Sequence, residues 1–180
     1  MSNLHTVRQS PDAVPETHDV LAVDSLGFDT LARFFDRLGL TLAHVPGGEP
    51  IPGSFWGDEE AGLIGDTLYV RDDTPVHSAM HEAGHYVCMD QTRRNGLHTN
   101  AGGTYDEENA VCYWQILASD HLDGMSRERM CADMDRWGYT FRLGSAAAWF
   151  ADDAEDAHAW LVAAGLVDAD SGALNVQVRR

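Results

Sequence analysis

Lysine is absent from this chain of 180 residues, and basic side chains of any kind are few. The chain has 12 arginines against 29 acidic residues, which gives a formal net charge of −17 at pH 7. Proteins that bind nucleic acid use clustered Lys or Arg side chains to neutralise phosphates. The composition therefore argues against a nucleic-acid partner, and the acidic surface favours solubility.

Long apolar runs are also missing. No stretch approaches the roughly 18 apolar residues of a transmembrane helix, so we expect no membrane association. Segment 1–19 is polar, contains Pro11 and Pro15, and lacks the apolar centre of a secretory signal. We predict that it is a flexible leader and that the protein is cytoplasmic.

Cysteine is scarce, and its spacing suggests no disulfide framework. Cys88, Cys112 and Cys131 are odd in number and form no CxxC pair, which is typical of reduced thiols in a cytosolic protein. The length fits one domain, which we place at residues 20–166 with a C-terminal tail at 167–180. Nothing in the sequence indicates a particular oligomeric state.

The order of the predicted elements indicates an α+β fold, with a short N-terminal sheet followed by helices. Apolar residues recur at helical spacing in 27–38, whereas 40–45 and 54–72 have strand composition. Further helices are predicted to begin at hydroxyl side chains that can cap them, the last running as one helix to Gly165. These N-terminal residues are Thr74, Thr104, Ser126 and Ser145.

Residues 81–85 read His-Glu-Ala-Gly-His, an HExxH motif within the helix that follows Thr74. His81 and His85 lie one turn apart on the same face, so both imidazoles can reach one metal ion. Glu82 is rotated by about 100° from His81, which lets its carboxylate reach a water in the open metal position without being a ligand. Zn²⁺ lowers the pKa of such a water to about 7. The motif predicts a zinc site with Glu82 as the general base.

Other residues of the same helix are poorer ligand candidates. His81 and Cys88 are about 10.5 Å apart along the helix axis, too far to share one zinc easily. Cys88 is better explained as a small core residue, and His77 as an exposed residue or one that supports a ligand.

A catalytic zinc needs a third protein ligand, and the next helix offers Glu107 and Glu108. Glu107 shares the apolar face that should pack against the HExxH helix, which makes it the better candidate. However, Thr104 and Glu107 also form a capping box, in which the Glu107 side chain bonds back to the N-cap amide. In that case Glu108 becomes the ligand.

The stretch 65–88, GDTLYVRDDTPVHSAMHEAGHYVC, resembles the strand, turn and HExxH helix of gluzincin metallopeptidases, most of all the small ImmA/IrrE-type proteins. In that family the next helix carries a ligand glutamate, followed three residues later by alanine and then by Asp or Asn. Glu107 and Ala110 match this pattern, whereas Val111 replaces the acid that normally orients a ligand histidine. The resemblance covers about residues 60–118.

This resemblance implies a zincin-like fold and a zinc-dependent metallopeptidase, with one Zn²⁺ per chain and a protein or peptide substrate such as a regulator. Hydrolysis would proceed by attack of a zinc-bound water, assisted by Glu82. Tyr105 and His98 are candidates to stabilise the oxyanion. The alternative is a non-proteolytic regulatory or stress-response protein that retains the zinc site, and the missing acid at Val111 slightly favours it.

Overall fold

The computed structural model of the protein describes residues 19–55, 57–98 and 100–180. The predicted leader, 1–19, lies outside the described residues except for Asp19. The described residues form eight α-helices, a short 3₁₀ helix and a three-stranded sheet, so the predicted α+β class is confirmed. None of these helices is long and apolar enough to cross a membrane.

Most elements follow one another with short connections, whereas the longer segment 45–61 joins the first two strands. In chain order they are α1 (Val23–Leu26), α2 (Phe28–Asp36), β1 (Thr41–His44), β2 (Gly62–Ile64), β3 (Thr67–Val70), α3 (Val76–Cys88), α4 (Gln91–Asn95), α5 (Tyr105–Ala118), the 3₁₀ helix Ser119–His121, α6 (Arg127–Trp137), α7 (Ala146–Asp152) and α8 (Glu155–Ala163).

The sheet has the strand order β1-β3-β2, in which β3 is central. It pairs in parallel with β1 and antiparallel with β2. Leu63 and Leu68 are fully buried, and α3 contacts both β2 and β3. The sheet therefore supports the helix that carries the HExxH motif.

Hydroxyl side chains cap three of the helices as predicted. The side chains that accept a backbone hydrogen bond in the first turn are those of Thr104, Ser126 and Ser145. The predicted cap of α3 is wrong by one residue, because Pro75 is the N-cap and the helix begins at Val76. The Thr74 hydroxyl accepts a hydrogen bond from the Arg71 amide at 2.9 Å instead and so closes the preceding turn.

The single helix predicted from Ser145 to Gly165 is also wrong, since the chain forms α7 and α8 there. Asp153 (φ −148°, ψ 17°) and Ala154 (φ −115°, ψ 21°) leave the helical conformation. The Asp153 carboxylate is engaged by Arg142, whose Nε donates to it at 2.7 Å. This ion pair ties the break between the helices to the segment before α7.

The segment predicted as a tail, 167–180, returns to the C-terminal end of α3. The Arg179 amide donates to the Val87 carbonyl at 2.9 Å. Val176 and Val178 pack against the core, and the Arg179 guanidinium lies 5.2 Å from the Trp160 ring centre. These contacts make the segment part of the folded body.

Helices α3 and α5 approach each other closely at Gly84. A Cβ atom at this position would lie 2.8 Å from Cγ1 of Val111 and 3.2 Å from Cε3 of Trp114. Glycine costs about 1 kcal/mol relative to alanine inside a helix, so its presence is explained by this contact. The close packing brings side chains of α5 within reach of the histidines of α3.

Candidate metal centre

Three potential ligands converge where α3 faces α5. Nε2 of His81 and Nε2 of His85 lie 3.7 Å and 3.5 Å from Oε2 of Glu108. One ligand atom from each residue lies within 4.8 Å of the other two. His85 is buried, and the side chains of His81 and Glu108 are partly accessible. The centre is therefore shielded by protein but open on one side.

These separations fit a zinc ion. Zinc binds His nitrogen and carboxylate oxygen at about 2.0–2.2 Å in tetrahedral geometry, which places neighbouring ligand atoms about 3.3–3.6 Å apart. The two distances to Glu108 differ little from that spacing. Two imidazoles with one carboxylate also form a donor set typical of catalytic zinc sites, which keep a fourth position for water or substrate.

Glu107, the preferred third ligand at the sequence level, points elsewhere. Its Oε2 accepts a 2.7 Å hydrogen bond from Nη1 of Arg93, and Nη2 of Arg93 donates to the Ala101 carbonyl at 2.8 Å. The Glu107 side chain is only 7% exposed. This buried ion pair joins α4, the loop before α5 and the first turn of α5, so Glu108 is the carboxylate that faces the histidines.

The capping box forms only in part. The Thr104 hydroxyl accepts a hydrogen bond from the Glu107 amide at 3.3 Å, as a capping residue should. The Glu107 carboxylate, however, uses one oxygen for Arg93, and the other has no hydrogen-bond partner among the described residues. The Glu107 carboxylate therefore bonds to Arg93 rather than back to the backbone amide of the N-cap residue Thr104, as a complete capping box would require.

His81 is oriented by Gln115, a residue that the sequence reasoning missed. Oε1 of Gln115 lies 2.8 Å from Nδ1 of His81, where it can accept a hydrogen bond. The amide nitrogen of Gln115 donates to the His77 carbonyl at 3.3 Å and to the Met130 sulfur at 3.4 Å. This fixes the amide and leaves Nε2 of His81 for a metal. Gln115 lies one turn after Val111, which packs on Gly84 and offers no polar group.

The charges at the centre are coupled. Burial alone would lower the pKa of His81, but Tyr139, the Cys112 thiol and Glu108 outweigh it and hold this pKa well above its ordinary value. Burial and the charge of His81 lower the pKa of His85 to about 4. Burial would raise the pKa of Glu108, but the two histidines lower it. Because a histidine binds a metal ion only in its neutral form, metal affinity should depend on pH.

The open side of the centre leads into a cleft between α5 and the segment before α7. The cleft is small and open to solvent. The lining residues are Tyr105, Glu108, Asn109, Cys112, Tyr139, Thr140, Phe141, Arg142 and Trp149. The ring of Tyr139 lies 5.8 Å from that of His81, and Cys112 also lines the cleft. A substrate in this cleft would lie directly beside the ligands.

The two predicted oxyanion donors lie in different places. Tyr105 lines the cleft and is 51% exposed. His98 is exposed and lies on the sheet side, where its backbone pairs with Ile64 next to β2. Tyr139, which the sequence reasoning did not identify, is nearer to the ligands, and its hydroxyl lies 3.3 Å from Nδ1 of His77.

The remaining candidates of α3 have simple explanations. His77 is fully buried and packs between Trp137 and Tyr139, with ring centres 5.0 Å and 5.5 Å away, so it supports the centre. Cys88 is fully buried in the core, and burial raises the pKa of its thiol. Glu82 is half-buried, one residue after His81 in the helix.

The arrangement has three convergent ligands, an oriented histidine and an adjoining cleft. Such a site can hold a cation and present it to a bound molecule. The chain matches no known family model, no curated protein and no solved structure.

Proposed function

We propose that the protein is a zinc-dependent metallopeptidase with a zincin-like fold, related to the gluzincins and their ImmA/IrrE-type members. The observation that carries the proposal is the placement of His81, His85 and Glu108 at the spacing of a zinc ligand set. The HExxH sequence adds Glu82 beside that set. The substrate would be a protein or peptide, and the protein would act in the cytoplasm.

In this proposal each side chain around the metal has a separate role in hydrolysis. When bound, zinc would supply a Lewis acid that polarises the scissile carbonyl and acidifies a water. Glu82 accepts the proton of the attacking water and passes it to the leaving nitrogen. Gln115 holds the His81 ring in the orientation that directs Nε2 to the metal. Tyr139 and Tyr105 face the cleft and could donate a hydrogen bond to the oxyanion.

The purified protein should hold about one zinc per chain, as expected for a site of two histidines and one carboxylate. Elemental analysis after removal of loosely bound metal measures this directly. His81→Ala and His85→Ala should lose the metal. Cys88→Ala is the matched control on the same helix and should keep it. A folded parent protein with a zinc content near zero would refute the proposal.

One observation favours a second function, a zinc-binding regulatory protein without peptidase activity. The Cys112 thiol is close enough to raise the pKa of His81, and Cys112 lies four residues after Glu108, so both side chains project from the same face of α5. If the thiolate became a fourth ligand, the site would be closed, as structural zinc sites are. The metal would then have no open position for a substrate.

Cobalt substitution separates the two functions, because a thiolate ligand gives Co²⁺ an intense near-ultraviolet charge-transfer absorption. The peptidase proposal predicts that this band is absent and that Cys112→Ser leaves both the spectrum and zinc content unchanged. A strong band that disappears in Cys112→Ser would instead assign Cys112 as a ligand and support the regulatory function.

A further inference from the structure

Residues 174–180, here called the strap, return from the region after α8 to the C-terminal end of α3. Every second side chain at the start of the strap packs against the core, and those between them are exposed. The packed side chains are those of Leu174, Val176 and Val178. The Asn175 amide donates to the Leu166 carbonyl at 2.9 Å and fixes the other end of the strap. The strap therefore connects the last helix to the helix that carries the HExxH motif.

Arg179 of the strap binds two carbonyl groups in the last turn of α3. A helix leaves its last four carbonyl groups without partners inside the helix. The Arg179 amide donates to the Val87 carbonyl at 2.9 Å, and Nη1 of the same residue donates to the Cys88 carbonyl at 3.4 Å. A positive charge at this end also interacts favourably with the helix dipole. Arg179 therefore caps α3 from a distant part of the sequence.

Arg94 of α4 completes this cap and joins it to the strap. Its guanidinium donates to the carbonyl groups of Met89 and Tyr86, the latter at 3.4 Å. Nη2 of Arg94 also donates to the Arg179 carbonyl at 2.5 Å. Arg94 is only 5% exposed, and burial lowers the pKa of its guanidinium. A buried cation is costly unless polar groups satisfy it, so the strap supplies an acceptor that Arg94 needs.

This cap lies immediately after one of the metal-ligand candidates. His85 is followed by only the last three residues of α3, whereas His81 lies a full turn further from the end. Helix ends open more readily than helix centres. Opening of the last turn would move His85 away from Glu108, whose Oε2 lies 3.5 Å from Nε2 of His85. The spacing of the ligands thus depends on whether the end of α3 is held.

We infer that Arg179 and Arg94 are positioning residues for the metal centre, and that docking of the strap on α3 is coupled to metal binding. The strap holds the same helical turn that carries His85, so each event should favour the other, and such a coupling is reciprocal. The inference rests on the metal centre of the proposed function but requires no hydrolysis. The strap lies outside residues 60–118, the part of the chain that resembles the metallopeptidases.

Arg179→Pro should weaken zinc binding by about fivefold or more, which is within the usual range of coupling between sites. Proline has no backbone N–H, so the substitution removes both the hydrogen bond to Val87 and the guanidinium. Arg179→Ala keeps the amide, and its affinity should lie between those of Arg179→Pro and the parent. Competition with a chromogenic chelator measures the affinities of the full chains.

Ser126→Ala controls for a general loss of stability. The Ser126 hydroxyl caps α6 by accepting a hydrogen bond from the Arg129 amide at 3.1 Å. Loss of such a cap destabilises the protein, but it alters neither the last turn of α3 nor the strap. The zinc affinity of Ser126→Ala should therefore equal that of the parent.

Amide hydrogen exchange measured by NMR tests the reciprocal effect. Zinc should slow exchange of the Arg179 amide by about fivefold or more, because this amide bonds to α3. The Asn175 amide at the other end of the strap is the internal control and should change less. In the metal-free proteins, the Met89 amide, which donates to the His85 carbonyl at 3.0 Å, should exchange faster in Arg179→Pro than in the parent.

Equal zinc affinities in the parent and both Arg179 variants would overturn the coupling, as would an equal loss of affinity in Ser126→Ala. If Arg179→Pro does not fold, the comparison of Arg179→Ala with the parent decides. The proposed function can fail separately. A protein that shows the coupling but cleaves no peptide would keep the inference and lose the peptidase activity. Zinc-dependent hydrolysis with an affinity that ignores the strap would keep the activity and overturn the inference.

Discussion

Glu108→Gln should reduce zinc affinity by more than about 100-fold. Removal of a group that only orients a ligand costs about 10–100-fold, and Glu108 is the carboxylate that faces both histidines, with its Oε2 3.5 Å and 3.7 Å from their Nε2 atoms. A neutral amide oxygen is a weaker donor for zinc than a carboxylate. Competition with a chromogenic chelator measures the affinities of parent and variant.

Glu107→Gln is the matched control at the neighbouring position. It removes the charge that pairs with Arg93 but leaves the ligand set intact, so zinc affinity should fall far less than in Glu108→Gln. The exchange Arg93→Glu with Glu107→Arg restores an ion pair of opposite polarity and should recover any loss. The assignment of Glu108 as the third ligand fails if Glu108→Gln keeps zinc while Glu107→Gln loses it. In that case the charge exchange with Arg93 would not restore zinc binding, and Glu107 would be the ligand.

Glu82→Gln should lower peptide hydrolysis by at least about 10²-fold while zinc content stays at the parent level. This factor is the low end for general acid–base catalysis. Glu82 lies outside the group of residues that could hold the metal, so the substitution should not disturb binding. Mass spectrometry of a peptide library incubated with parent and variant measures the rates, and elemental analysis measures the zinc.

Glu155→Gln controls for the loss of one negative charge, because Glu155 is exposed at the start of α8. It should retain both activity and metal. Equal hydrolysis by Glu82→Gln and the parent would refute the role of Glu82 as general base. Absence of hydrolysis in both, with zinc present, would instead favour the regulatory alternative.

The elements around the centre were largely predictable because they depend on local signals. Thr104, Ser126 and Ser145 cap their helices as their hydroxyl side chains indicate. Histidines four residues apart meet on any helix, so the pairing of His81 and His85 required no tertiary information.

The third ligand was harder to predict because it depends on how two helices face each other. The apolar stripe of α5 does pack on α3, with Val111 and Trp114 against Gly84. Glu107 continues that stripe beyond the histidines and meets Arg93 of α4, a helix that the sequence pattern did not show. The neighbouring stripe of Glu108 is polar, and a polar stripe does not distinguish a solvated surface from a buried site.

Tertiary contacts also determine the other residues that were not predicted. Gln115 is an ordinary helix residue in sequence, and its role depends on the distance between α3 and α5. Tyr139 approaches the centre only because the chain turns after α6. The break at Asp153 likewise involves Arg142, which lies outside the helical pattern that predicted one continuous helix.

Gly84 has a consequence for the size of the ion that the centre accepts. Both histidine ligands lie on α3 and the carboxylate of Glu108 lies on α5. The distance between these two helices therefore sets the distance between the ligand atoms. Gly84 allows the two helices to approach closely, because even the methyl group of an alanine would lie 2.8 Å from Cγ1 of Val111. Metal–oxygen bonds lengthen from about 2.0–2.2 Å for zinc to about 2.3–2.6 Å for calcium. A residue that touches no ion thus helps to define the ionic radius that fits.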